Sequence, residues 1–222
     1  MKVLIAIPCM DQVPAPFAQS LAMIRKGENE AAVAFQMGSL IYTSRNSLAA
    51  KAIEMEADLI LWLDSDMVFS PDLLLRLQKR MDEDELDIVT GLYFRRVPPF
   101  TPVIFDGLEM TEKGCEWSEF TEIGTDPFEV GGCGFGCVLM KAEVLMNVQG
   151  KFGCMFNPLN NMGEDLSFCW RARECGFKIV CDPGIICGHV GYSVINDKFF
   201  QSYQDAHTKE EADETESSEA VL

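Results

Sequence analysis

Zinc-ligand patterns are missing from this sequence, although it contains nine cysteines. No two cysteines form a CxxC pair, and only two histidines are available to complete a mixed site. Structural zinc sites need four such ligands at short spacings, so the cysteines are not a zinc framework. We expect most of them to be small core residues of a protein kept in a reducing cytoplasm.

Long apolar runs and an excess of positive charge are also missing. No run approaches the ~20 residues that a membrane span needs, and the opening apolar segment is too short for a signal peptide. The chain has 35 acidic and 18 basic residues, a net charge of −17, which argues against non-specific binding to nucleic acid or to an anionic membrane. We therefore expect a soluble cytoplasmic protein with no membrane span and no nucleic-acid partner.

Part of the negative charge is concentrated at the carboxyl end. Residues 205–222 contain seven acids and one lysine, a net charge of −6, with little that could pack. This composition is typical of a disordered, solvated tail. We expect residues 1–204 to form a single domain, because a chain of this length can bury a core that needs no disulfides.

Strand-like and helix-like segments alternate over about the first 95 residues, which indicates a parallel, doubly wound α/β sheet. The strands are expected at Lys2–Pro8, at Ala31–Met37, from Leu59, and at Asp87–Phe94, and the helices at Phe17–Lys26, after an N-cap at Thr43 or Ser44, and at Leu73–Met81.

The alternation stops at Arg95, and short aromatic pieces between prolines and glycines predict a small antiparallel layer up to Val130. These pieces are Pro102–Phe105, Trp117–Phe120 and Phe128–Val130. The later elements are expected as strands at Cys137–Met140, Lys178–Asp182 and Ile185–Gly191, and as helices from Lys141, at Glu164–Cys175 and around Asn196–Asp205.

Two aspartates, Asp64 and Asp66, follow the apolar run Leu59–Leu63 directly. Five apolar residues without alternation indicate a strand buried on both faces. Ligands of open α/β sheets bind at the carboxyl ends of the strands, and paired carboxylates suit Mg²⁺ or Mn²⁺ bridging to phosphates. A solvated turn with Asp and Ser caps is the alternative.

Four other segments carry polar or glycine-rich patterns, each with a purely structural alternative. Arg45-Asn46 at a helix start favours phosphate but could be a surface arginine. The glycines of residues 131–136 could form a ligand-facing wall or a bulged hairpin. Glu164-Asp165 could supply a general base or only complement a helix dipole. His189 could be a metal ligand or a structural histidine.

In this order, these features closely resemble the layout of glycosyltransferase family 2 on the GT-A fold, over about residues 1–192. The most specific parts are the DSD of residues 64–66 and the later segments GED (163–165) and GHVG (188–191). The resemblance implies a Rossmann-like α/β/α sandwich, with a mostly parallel central sheet and a small antiparallel β layer.

The resemblance also implies residue roles. Pro8, Asp11 and Arg45 would bind the nucleotide or its phosphates, Asp64 would face the ribose or the donor sugar, and Gly132 and Gly134 would line the nucleotide-sugar side. Asp66 and His189 would hold Mn²⁺ or Mg²⁺. Asp165 is the expected catalytic base, with Glu164 as second choice. The family's opening usually resembles P-x-x-N-E, whereas this chain has Pro8-Cys-Met-Asp11. The identity of the nucleotide's base is therefore left open.

The function implied is metal-dependent, inverting transfer of a hexosyl unit from a nucleotide-diphospho sugar, with UDP favoured, to a hydroxyl acceptor. The chain is short for the family, so a partner subunit or a homo-oligomer is expected. Two alternatives stay open: a nucleotide-sugar-binding protein without turnover, and a phosphohydrolase of the haloacid dehalogenase type. The string Asp64-Ser-Asp-Met-Val68 matches the DxDx[TV] motif of the latter.

Overall fold

The computed structural model describes residues 1–38, 40–111, 114–120, 122–191 and 194–205. The helices are α1 (Ala15–Met23), α2 (Ile41–Glu54), α3 (Leu73–Glu83), α4 (Ala142–Phe152) and α5 (Glu164–Glu174), followed by a helical segment over 197–205. The strands are β1 (Lys2–Cys9), β2 (Glu30–Met37), β3 (Leu59–Leu63), β4 (Met67–Val68), β5 (Ile88–Leu92), β6 (Ile104–Phe105), β7 (Glu109–Thr111), β8 (Gly114–Glu116), β9 (Phe128–Val130), β10 (Gly132–Cys133), β11 (Cys137–Lys141), β12 (Ile179–Ile186), β13 (Gly188–Val190) and β14 (Val194–Ile195).

A seven-stranded sheet in the order β2-β1-β3-β11-β5-β12-β9 forms the centre of the molecule. β1 pairs in parallel with β2 and β3, and β12 pairs in parallel with β5. β11 lies between β3 and β5 and is antiparallel to both, and β9 is antiparallel to β12. The expected mostly parallel sheet is confirmed, with an antiparallel strand at its middle that the sequence did not predict.

Helices cover both faces of this sheet, as the apolar runs require. Because successive side chains of a strand point to opposite faces, Ile60 and Trp62 belong to one core cluster and Leu59, Leu61 and Leu63 to the other. All five residues of β3 are buried, so the absence of alternation in its sequence is explained. The first cluster includes residues of α2, α4 and α5, and the second includes residues of α1 and α3.

The bounds of the second helix and of the strands near the carboxyl end were predicted wrongly. Helix α2 begins at Ile41 with Leu40 as its N-cap, because the Leu40 carbonyl accepts hydrogen bonds from the N–H groups of Thr43 and Ser44. The two strands expected over 178–191 are instead the long strand β12, which continues through a register shift between Asp182 and Ile186, and the short strand β13.

Short antiparallel pairs form the predicted small β layer beside the main sheet. β6 pairs with β10, β7 pairs with β8, and β13 lies between β4 and β14. The strand expected at Trp117–Phe120 is reduced to one isolated bridge between Glu119 and Phe105. Of the expected acidic tail, residues 206–222 lie outside the described residues.

The nine cysteines are all free, and five of them are buried in the core, as predicted. The buried ones are Cys133, Cys137, Cys169, Cys181 and Cys187. None of the helices in the described part of the chain combines the length and the apolar character that crossing a membrane would require.

Candidate functional site

A cavity of about 310 Å³ opens at the carboxyl ends of β1 and β3. The sheet brings these ends together, because β1 and β3 are parallel neighbours. Seven of the ten residues predicted for the site line this cavity: Pro8, Arg45, Asp64, Asp66, Glu164, Asp165 and His189.

Arg45 connects two of these acids from inside the protein. Its side chain is 2% exposed, with Nη2 at 2.8 Å from Asp64 Oδ1 and Nε at 3.1 Å from Glu164 Oε1. Its guanidinium carbon also lies 5.3 Å from the centroid of the Phe135 ring. Arg45 is therefore a buried cation between two carboxylates, and the surface-arginine alternative is wrong.

The charges around Arg45 also determine its protonation. Burial lowers the pKa of the guanidinium, but the negative charges of Asp64 and Glu164 outweigh this effect and raise the pKa. The Nη1 atom is buried and has no hydrogen-bond partner among the described residues. A buried donor without an acceptor costs free energy, so this nitrogen is suited to donate a hydrogen bond to an oxygen of an anionic ligand.

Asp66 lies between two cationic or potentially cationic groups. Its Oδ1 is 3.5 Å from His189 Nε2, and its Oδ2 accepts a hydrogen bond from Arg96 Nη1 at 2.8 Å. Burial raises the pKa of the Asp66 carboxyl, but the hydrogen bond and charge of His189 and the charge of Arg96 outweigh it, so this pKa is lowered. The carboxylate is thus held in its ionised form.

His189 reaches Asp66 because β13 pairs with β4, which places His189 opposite Met67. The Val190 N–H also donates a hydrogen bond of 2.8 Å to the Asp66 carbonyl. Nδ1 of His189 lies 2.9 Å from the Phe94 carbonyl, which can only accept, so Nδ1 carries the proton. If Nε2 gives up its own proton to make room for a metal, its lone pair faces Asp66, which is the arrangement usual for a metal-binding histidine.

Asp66 and His189 fit a divalent metal that takes its other ligands from phosphates and water. Mg²⁺ and related ions are commonly held by one or two protein side chains together with substrate phosphates. No cluster of three or more His, Cys, Asp and Glu side chains suited to a metal occurs within the described ranges, so the protein alone does not offer a complete cage. The two residues therefore suit a metal that binds together with a phosphate ligand.

The first turn of α5 supplies the two acids on the other side of the cavity. Glu164 is paired with Arg45, whereas Asp165 is bonded only to the Leu166 N–H, at 2.7 Å, among the described residues. Burial raises the pKa of Asp165 to about 6, and the negative charge of Glu164 contributes in the same direction. Asp165 is thus the carboxyl of the cavity whose proton affinity best suits a general base near neutral pH.

The glycine-rich segment lies in the core and not on the cavity wall. A Cβ at Gly134 would lie 2.1 Å from Tyr93 Oη, and one at Gly132 would lie 3.0 Å from a Leu166 methyl carbon. The Gly136 N–H donates to Tyr93 Oη at 3.1 Å. Close packing of Tyr93 and Leu166 against the backbone therefore explains these glycines, and the nucleotide-sugar role expected for Gly132 and Gly134 stays a prediction.

Asp11 is exposed and does not line the cavity, although its neighbours Gln12 to Pro14 line a second cavity of about 730 Å³ next to the first. Arg96, which lines both cavities, was missed by the sequence analysis. Its position shortly after β5 could have indicated a role in the site, because residues that follow parallel strands lie at the ligand-binding edge of the sheet.

Comparisons with known proteins give a family match for part of the chain and a shared fold. Residues 41–148 match the family model "Glycosyl transferase family 2", a range that contains Arg45, Asp64 and Asp66 but neither Asp165 nor His189. No curated protein matched the chain.

Two solved structures share the fold. A197 from STIV has 20% identity and a TM-score of 0.61, with 86% of each chain covered. GalNAc-T7, solved with UDP, GalNAc and Mn²⁺, has 11% identity and a TM-score of 0.60, with 86% of this chain and 44% of that chain covered. The family match supports glycosyl transfer as the general activity, and the phosphohydrolase alternative loses its support. The chain has the GT-A fold, and its residues 41–148 match glycosyltransferase family 2.

Proposed function

We propose that this protein is a metal-dependent, inverting hexosyltransferase that uses a UDP-sugar as donor and a hydroxyl group as acceptor. The observation that carries the proposal is the convergence of Arg45, Asp64, Asp66, Asp165 and His189 on one cavity. In it, a buried arginine and a carboxylate–histidine pair lie opposite an unpaired acid with a raised pKa. A phosphate-binding side and a base side are both needed for glycosyl transfer from a diphosphate.

In this proposal Asp64 contacts the ribose or the donor sugar, while Arg45 orients Asp64 and offers its unpartnered Nη1 to the nucleotide or its phosphates. Pro8, near the end of β1, and Asp11, just after that strand, lie beside the nucleotide's base. Asp66 and His189 hold Mn²⁺ or Mg²⁺, and such a metal, when bound, neutralises charge on the leaving diphosphate. The fixed positions of these side chains align the donor for attack.

Asp165 then takes the proton from the acceptor hydroxyl. The acceptor oxygen forms a bond to the anomeric carbon as the bond from that carbon to the diphosphate oxygen breaks. The electron pair of the broken bond leaves with UDP, and the proton stays on Asp165 until solvent removes it. Because this is one in-line displacement from the opposite face, the configuration at the anomeric carbon is inverted.

The test is a calorimetric titration of UDP into the protein with Mn²⁺, with chelator, and with the variant Asp66→Ala. We expect metal-dependent binding that the variant loses, and weaker competition by GDP, CDP and dTDP. Asp84→Ala is the matched control, because Asp84 also pairs with an arginine, Arg80, but lies on the surface at the end of α3.

Failure of every nucleoside diphosphate to bind in the presence of Mn²⁺ or Mg²⁺ would contradict the proposal. Binding without release of UDP from any UDP-sugar, across a panel of hydroxyl acceptors, would instead favour a nucleotide-sugar-binding protein without turnover. We further propose that residues 1–204 form the transferase domain. We also propose that it acts in the cytoplasm, where its nine free cysteines stay reduced, with a partner subunit or a second copy.

A further inference from the structure

Arg96 engages the carboxylate that the proposed function assigns to the metal. Its Nη1 is 2.8 Å from Asp66 Oδ2, while Asp66 Oδ1 faces His189. The Arg96 side chain is 49% exposed, and Asp66 is the ion-pair partner that the structure gives it. A cation on a flexible side chain therefore already compensates the charge of Asp66 in the protein alone.

Arg96 also lies where two cavities meet. The cavity of about 310 Å³ that holds the site and the neighbouring cavity of about 730 Å³ share Ser65, Asp66 and Arg96 in their walls. A ligand that extends from one cavity into the other must therefore pass the Arg96 guanidinium. For a diphosphate, this guanidinium is a bidentate donor of the kind that phosphate oxygens favour.

The backbone that carries Arg96 is held in place. The Arg95 N–H donates to the Thr101 carbonyl at 2.9 Å, and the Phe100 N–H donates to the Val97 carbonyl at 2.9 Å. Arg95 pairs with Glu119 at 2.8 Å and lines neither cavity. The two adjacent arginines thus have the same charge and similar exposure, but only Arg96 reaches the candidate metal site.

We propose that Arg96 couples metal binding to diphosphate binding. In the absence of a diphosphate, its positive charge opposes a divalent cation at Asp66. When a diphosphate is present, Arg96 contacts the phosphate oxygens, and the same charge stabilises the complex. The protein then binds the metal well only together with the nucleotide, so the two ligands bind cooperatively. The effect of Arg96 on diphosphate binding rests on the proposed function, whereas its effect on metal binding can be tested alone.

The test compares the parent protein with Arg96→Gln and with Arg95→Gln, which makes the same change in net charge one residue away. The first measurement is a titration with Mn²⁺ alone, in which free Mn²⁺ is followed by electron paramagnetic resonance. We expect Arg96→Gln to bind Mn²⁺ roughly fivefold more tightly than the parent, because a half-exposed opposing charge is worth about 1 kcal/mol. Arg95→Gln should match the parent within about twofold.

The second measurement is calorimetric titration of UDP at saturating Mn²⁺. We expect Arg96→Gln to bind UDP roughly tenfold more weakly, because it loses a charge-assisted hydrogen bond, while Arg95→Gln binds like the parent. The opposite signs of the two effects in one variant distinguish coupling from a general loss of structure.

Equal Mn²⁺ affinity in Arg96→Gln and Arg95→Gln would overturn the proposal, as would failure of both to bind Mn²⁺. Unchanged UDP affinity in Arg96→Gln would also overturn it. If the parent binds no UDP at all, the proposed function fails, and the Mn²⁺ titration still reports whether Arg96 opposes a cation at Asp66.

Discussion

At the scale of single residues, the acids of the cavity differ in what surrounds them. Asp64 and Glu164 are each paired with Arg45, and Asp66 is paired with Arg96 and His189. Asp165 lacks such a partner in the described part of the chain, and burial raises its pKa to about 6. The environment therefore separates carboxylates that are paired with cations from one whose raised pKa suits it to exchange a proton.

This difference predicts the pH dependence of turnover. A base must be ionised to act, so we expect kcat/KM for UDP release to fall as the pH decreases through the Asp165 pKa of about 6. Asp165→Asn should reduce kcat by about 10²–10⁴-fold and abolish this acidic limb. Glu164→Gln should keep the decrease in activity at low pH. If Glu164→Gln loses this decrease and Asp165→Asn keeps it, Glu164 is the base.

The same raised pKa predicts that the free energy of unfolding falls as the pH rises, whereas turnover increases. The folded pKa of Asp165 exceeds its unfolded value, so the folded state binds more protons between the two values, and its stability falls as the pH rises through this window. Asp165→Asn removes the buried charge. Its free energy of unfolding should therefore exceed that of the parent by an amount that grows from about pH 4 to about pH 7, where it levels off.

Urea unfolding of both proteins at the two pH values measures this difference. Asp84→Asn serves as the comparison, because its carboxylate is exposed and paired with Arg80. A stability difference between Asp165→Asn and the parent that is constant with pH would contradict the prediction.

The sequence predicted most of the residues of the site but not their pairing. Arg45 was recognised from its place at a helix start, yet its partners Asp64 and Glu164 are 19 and 119 residues away, and no local pattern connects them. Arg96 was missed because it belongs to a loop, and its importance depends on a contact with Asp66 that only the fold creates.

At the scale of elements, the segment between β10 and β11 is shaped by Tyr93. Tyr93 is 4% exposed, and its ring packs against the backbone of Gly134 and Gly136. Burial raises the pKa of the Tyr93 phenol well above its ordinary value, and the negative charge of Asp64 adds to the effect, so the phenol stays neutral. The tyrosine is therefore a structural support next to the cavity, with its ring centroid 5.6 Å from that of His189.

Gly134→Ala should destabilise the protein, because its Cβ would lie 2.1 Å from Tyr93 Oη. We expect a loss of about 1–3 kcal/mol in the free energy of unfolding, as is usual for overpacking. Gly150→Ala is the matched control, since Gly150 lies in α4 and a Cβ there meets nothing within 4 Å. The free energy of unfolding of the control should increase by about 0.5–1 kcal/mol. Denaturant unfolding of both variants shows whether each one is more or less stable than the parent.

The sequence also predicted the type of most elements, because their apolar periodicity is a local property. It gave no orientation for β11, since an apolar run such as Cys137–Met140 fits a parallel or an antiparallel neighbour equally well. The pairing of β13 with β4, which brings His189 to Asp66, was likewise inaccessible, because both strands are only two or three residues long.

At the scale of the whole molecule, the carboxyl-terminal helical segment over 197–205 completes the packing around the loop after β5. The Phe200 ring stacks on Phe94 with centroids 4.8 Å apart, and the Phe199 ring meets Phe100 edge-on at 4.8 Å. Phe94 also provides the carbonyl that faces His189 Nδ1. This segment therefore supports the side of the cavity that contains the histidine.

A chain ended after residue 205 should keep the melting temperature and the UDP affinity of the full protein, because these ring contacts are retained. A chain ended after residue 195 exposes Phe94 and Phe100, and we expect its melting temperature to fall by about 5 °C or more. Differential scanning calorimetry of the two shortened chains measures the contrast. Equal melting temperatures in both would show that the ring contacts add little to stability.

The position of β11 has a consequence for how the protein is made. β3 is complete at residue 63, but the strand that closes its second edge begins only at residue 137. During synthesis on the ribosome, β3 and β5 therefore wait with open, apolar edges until most of the chain has emerged. Unpaired edges of this kind attract other chains, so we expect the nascent protein to be most prone to association before β11 and then β12 have emerged.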